Sequence, residues 1–119
     1  MELAKEQLAR VQVAWLDPVD WSDLALYGFY AVENAVTACA DHYGVPWTRT
    51  HPRKVAAARI LAEQHGLPDV SALLEELNSL RKDEAYGEAP PDLDRDPEAI
   101  AVEIERFVEA AAAILDNVP

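Results

Sequence analysis

The stretch Val70-Ser71-Ala72-Leu73-Leu74-Glu75-Glu76-Leu77-Asn78-Ser79-Leu80-Arg81 decides how this chain folds. Val70, Leu73, Leu74, Leu77 and Leu80 recur at steps of three and four, the spacing of one helix face, with polar residues between them. Arg81 continues the stripe four residues after Leu77, where a leucine would be expected. An unpaired charge in a core is costly. Arg81 must therefore pair, face a cleft, or bury its stem and hold its head beside the negative end of the helix. Position alone leaves these readings open.

The same punctuation runs outward in both directions. Downstream, Arg81-Lys82-Asp83-Glu84-Ala85-Tyr86 ends at Gly87, and a last helix opens with Asp96 as cap and Pro97 at its first position. That helix sets Ile100, Ile104, Phe107, Val108, Ala111, Ile114 and Leu115 on one face. Upstream, a third helix spans roughly Thr50–Pro52 to Gly66, and a second runs from Trp21, behind the Asp20 cap, to Gly44. A first carries Ala4, Leu8, Val11 and Trp15 and stops at Asp17-Pro18. Three of the four glycines thus fall just past a helix end, where a left-handed residue is wanted. The expectation is an all-α, antiparallel up-and-down bundle of four to five helices, one domain over residues 1–119, joined by Gly44–Arg49 and Gly87–Arg95.

Composition narrows the class. Half of the 119 residues are apolar, as in a folded globule. The lone cysteine, Cys39, lies in an apolar helical run and reads as core, so a disulfide framework is absent and a reducing compartment fits. No stretch approaches the roughly 18 apolar residues of a membrane span, and the chain reads as soluble and cytoplasmic. The net charge of −12 is uneven. Residues 1–48 carry seven acids and two bases, residues 49–82 six bases and four acids, and residues 83–119 eleven acids and two bases. Such a molecule repels a DNA duplex. Polyanion contact is confined to the surroundings of Arg49, His51, Arg53, Lys54, Arg59, Arg81 and Lys82.

The second helix is apolar on two faces. Leu24, Tyr27, Ala31, Ala35 and Ala38 form one, and Leu26, Phe29, Tyr30, Val36 and Ala40 the other. Such a helix is central or shared with a second copy, and a homodimer through the second and fourth helices is expected. Glu33 falls on one of these faces and Asn34 on the other. A carboxylate suits a guanidinium fork, so Glu33 and Arg81 are expected partners, either as a structural ion pair or as the wall of a cleft in which Arg81 binds phosphate. His51, Arg53 and Lys54 at the start of the third helix form a second phosphate-binding candidate. No His/Cys/Asp cluster has metal-ligand spacing, no glycine-rich phosphate loop or nucleophile motif occurs, and no cofactor is implied.

Two segments together, Leu26-Tyr27-Gly28-Phe29-Tyr30-Ala31-Val32-Glu33-Asn34-Ala35 and Leu80-Arg81-Lys82-Asp83-Glu84-Ala85-Tyr86-Gly87, resemble the HEPN family over residues 20 to 116. The resemblance implies a helical bundle that dimerises. Its active members are metal-independent ribonucleases with a histidine four to six residues after the arginine, and some are toxins neutralised by a nucleotidyltransferase-like partner. It would place Arg81 on a scissile phosphate. The pattern departs here: five residues after Arg81 stands Tyr86, and no histidine follows His65. A phenol is a poor general base at neutral pH. The resulting expectation is a HEPN-like module that binds nucleotide, RNA or a partner protein without nuclease activity. The alternatives are a ribonuclease toxin in which Tyr86 or a distant histidine supplies the base, and a purely structural partner-binding subunit. Glu33, Arg81 and Tyr86 are expected to converge on one cleft, with Lys82 and Asp83 at its rim.

Overall fold

A computed structural model describes residues 2–14, 21–85 and 97–116. Five helices occupy these segments: α1 (Glu2–Ala14), α2 (Trp21–Tyr43), α3 (His51–His65), α4 (Ser71–Ala85) and α5 (Pro97–Asp116). The all-α bundle expected from helical periodicity is what forms. Asp20, Asp96 and Gly87 lie outside the described residues.

Helix α2 is the axis, touching each of the other four. Leu24, Ala25, Phe29, Ala31, Val32, Ala35, Val36, Cys39 and Ala40 are all buried, while Leu26, Tyr27, Tyr30 and Ala38 of the same two faces are half-buried. Of Phe29, Tyr30 and Val36, whose area argued for a second copy, Phe29 and Val36 are hidden within one chain and Tyr30 is half-buried. Burying this surface at roughly 25 cal/mol per Å² is the main stabilising term. Gly28 permits a close approach, since a Cβ there would lie 2.7 Å from Ile104 Cδ1 and 3.4 Å from Leu77 Cδ2.

Cross-helix contacts give the directions. Asn34 Nδ2 donates to Gln7 Oε1 at 2.8 Å, and Arg10 lies 5.7 Å from the Tyr27 ring, so α1 runs antiparallel to α2. Helix α3 departs from simple up-and-down order. His51 lies beside Phe29, Lys54 pairs with Glu33, and His65 stacks on Tyr43. Both numbers climb together, so α3 runs parallel to α2. The expectation of antiparallel neighbours fails here because residues 44–50 return along α2 before α3 begins. Seven extended residues reach roughly 23 Å, enough to retrace the fourteen helical residues between Tyr43 and Phe29, about 21 Å at 1.5 Å each. Trp47 pins that return, donating from Nε1 to Asp41 Oδ1 at 2.8 Å. Gly44 and Gly66 adopt φ of 70° and 71°, the left-handed turn that reverses the chain after α2 and α3. Helix α4 comes back against α2, led by Asp69, whose Oδ1 accepts the Ser71 amide at 2.9 Å. Hydrogen bonding from the Ser71 hydroxyl first, and from its amide second, holds the Asp69 carboxyl below its ordinary value of 3.8.

Candidate functional site

The site lies where α2, α3 and α4 meet, around the ring of Phe29. Helical phase carries Arg81 inward, as the stripe from Val70 to Leu80 implies. Its guanidinium carbon stands 4.7 Å from the Phe29 centroid, a cation–π placement. One Nη donates to Asn78 Oδ1 at 2.8 Å, one turn earlier on the same face. Asn78 is itself buried. From the α3 side, the His51 ring stands 5.8 Å from Phe29, tilted by 35°. Tyr30 meets the same phenylalanine edge-on at 5.7 Å.

Two nitrogens at this junction are buried without a hydrogen-bond partner, Arg81 Nε and His51 Nδ1. Buried polar atoms are nearly always paired, and an unpaired one calls for a reason. Arg81 Nε is a fixed donor, and an imidazole nitrogen can donate or accept. One is thus a donor left unpaired, the other a nitrogen of either hydrogen-bonding sense.

Glu33 is not the partner of Arg81. It takes Lys54 from α3, Nζ to Oε1 at 2.9 Å, with both side chains about 15% exposed (14% and 16%). The helical-face argument placed Glu33 correctly on α2 but could not rank Arg81 against Lys54, because the direction of α3 decides which cation arrives. Lys54 also lies 5.8 Å from the Trp47 ring. The phosphate-binding candidates of α3 therefore divide: Lys54 is engaged by a carboxylate, Arg53 is exposed, and His51 joins the Arg81 junction. Thr50 sits at the N-cap without a side-chain bond to the helix. Tyr86 lies outside the described residues, and so do the side chains of Lys82 and Asp83.

Sequence reading missed Asn78, and it set His51 in a separate candidate rather than beside Phe29. Asn78 carried a signal, being three residues before Arg81 on the same face. The approach of His51 to Phe29 carried none, since it depends on the returning 44–50 segment. Open hollows lie elsewhere, along α5; one of about 440 Å³ is lined by Glu98, Ala99, Val102, Glu103 and Arg106. The two unpartnered nitrogens of the junction are buried. Among the described residues no group of three or more His, Cys, Asp or Glu could hold a metal ion, and no helix is long and apolar enough to cross a membrane. No family model, curated protein or solved structure matches the chain.

Proposed function

We propose that this chain is a HEPN-like helical module that binds a short phosphate-bearing ligand, a nucleotide or the end of an RNA, at the Arg81–Phe29–His51 junction without cutting it. The observation that carries the reading is the pair of buried, unpartnered nitrogens on two different helices facing one aromatic ring. Among the described residues no carboxylate forks the Arg81 guanidinium, whose one side-chain hydrogen bond there goes to Asn78, and such a group suits a phosphate. The overall charge of −12 disfavours a long polyanion, which limits the ligand to one that makes a local contact. Calorimetric titration with adenosine 5′-monophosphate should give binding that Arg81→Met weakens at least tenfold. No heat at millimolar nucleotide would overturn it.

One observation favours a second reading. His51 brings to Arg81's aromatic neighbour the imidazole that the arginine motif lacks. A ribonuclease using that histidine as general base would degrade RNA in a reaction lost on both Arg81→Ala and His51→Ala. RNA left intact by purified wild-type protein excludes it.

A further inference from the structure

We infer that residues 45–65, the returning segment together with α3, form a flap hinged at Gly44 and Gly66, which lifts off the Phe29–Arg81 junction while the rest of the bundle stays folded. Topology sets the hinge. Gly44 and Gly66 both hold left-handed φ, 70° and 71°, and a Cβ on either would meet nothing within 4 Å. Because residues 44–50 retrace α2, the two glycines lie at the same end of the bundle, where the Tyr43 and His65 rings stack at 3.9 Å. The opposite tip, residues 48–50, is exposed and leads into His51 beside Phe29.

Packing and polar pairing both favour this unit as the part that opens. Among the described residues α3 packs against α2 and α4 alone. It buries Val55, Ala57, Ala58 and Leu61, two of them alanines, where α4 buries Leu73, Leu74, Leu77 and Leu80. Resistance to local opening follows buried apolar surface, so α3 lifts more readily than α4. Closure also leaves Arg81 Nε and His51 Nδ1 without partners. Water meets both once α3 has lifted, which narrows the gap between the two forms. What holds the flap near its tip is the Glu33–Lys54 pair, 2.9 Å from Oε1 to Nζ and one turn from Phe29. That pair is the latch. The flap stands independently of phosphate binding, for which it would supply the way in.

A thiol on the inner face of α3 reads the opening. Ala57→Cys is compared with Ala111→Cys on α5, a helix that does not pack against α3, each in a Cys39→Ala background; both alanines are buried. At low concentrations of 5,5′-dithiobis(2-nitrobenzoate), labelling at pH 8 follows the open population, and the Ala57→Cys thiol should react at least tenfold faster than the Ala111→Cys thiol. Glu33→Gln should speed Ala57→Cys labelling at least fivefold. Ile104→Val, which loosens α5 beside Gly28, should speed the Ala111→Cys thiol and leave the Ala57→Cys rate within about twofold. Ala58→Cys replaces Ala57→Cys should circular dichroism show the latter unfolded. Equal rates for the two thiols, equal acceleration of both by Ile104→Val, or no response to Glu33→Gln in a folded protein overturns the flap. Titration with adenosine 5′-monophosphate separates this outcome from that of the phosphate reading. A nucleotide that binds only the open form should bind Glu33→Gln more tightly by the factor by which labelling speeds up. A flap that opens as described in a protein that binds no nucleotide stands, and the phosphate reading alone falls.

Discussion

Arg81→Met separates charge from packing at the position where the helical stripe turns polar. The substitution keeps an unbranched side chain against Phe29 and leaves the Glu33–Lys54 pair intact, but it takes the donor from the buried Asn78 Oδ1 while also removing the unpartnered Nε. Stability should fall by about 1 kcal/mol in urea unfolding, the scale of one lost hydrogen bond, while nucleotide binding is lost. Glu33→Gln acts on the other pair. It leaves a mostly buried ammonium beside a neutral amide and should cost roughly 1–3 kcal/mol. Glu33→Gln with Lys54→Met should recover most of that loss, and a non-additive cycle is the signature. Had Glu33 been the partner of Arg81, the large cost would have fallen on Arg81→Met. Cys39 gives a pH test at the same scale. Burial pushes its thiol from 9.0 up to about 11. A native value above the unfolded one means that protonated Cys39 favours the fold fully below pH 9. That contribution fades as pH rises through about 11. The thiol should therefore resist a thiol reagent at pH 8 in the native state and react on unfolding, and the melting temperature should drop between pH 9 and 11.

At the scale of elements, Gly28 shows what a helix gives up to let its neighbours close in. Glycine inside a helix costs about 1 kcal/mol relative to alanine, yet a Cβ here would press on Ile104 and Leu77. Gly28→Val adds two methyl groups to that contact and should destabilise by about 2–3 kcal/mol, with α5 displaced from α2. Thermal melts of Gly28→Val and Gly28→Ala should show the larger loss for valine. Gly28 is the one glycine among the described residues that lies inside a helix, and nothing in its neighbourhood along the chain explains it, since Ile104 comes from a distant element. The helices themselves were legible for the opposite reason: apolar periodicity and glycine stops are local. Gly44 and Gly66 mark the ends of α2 and α3 because the left-handed turn is a property of single residues. The inward phase of Arg81 was legible in the same way. The direction of α3 was not, because residues 44–50 are long enough either to turn at once or to retrace α2. That ambiguity propagated directly into the site, assigning Glu33 to Arg81 and leaving His51 outside the junction.

At the scale of the whole molecule, the charge pattern limits what the junction can recruit. Residues 83–119 carry a net −9 and residues 1–48 a net −5, flanking the mildly basic stretch that supplies Arg81, His51, Arg53 and Lys54. A ligand with one phosphate end feels the local donors at contact distance and the acidic surroundings only weakly, through a screening length of about 8 Å at physiological salt. A longer strand brings further phosphates to a chain of net charge −12, which repels them. Affinity for oligoadenylates with a terminal phosphate should therefore stay flat or fall as length grows from one nucleotide to ten. A basic nucleic-acid binder would instead gain with length and lose steeply with salt. Raising sodium chloride from 50 to 300 mM should narrow the penalty on the ten-nucleotide strand, because salt screens repulsion more than it weakens contacts inside the junction. Fluorescence anisotropy across that length and salt series measures both trends. Affinity that climbs with strand length at low salt would mean that the net negative charge does not govern the encounter, and would return long RNA to consideration as the substrate.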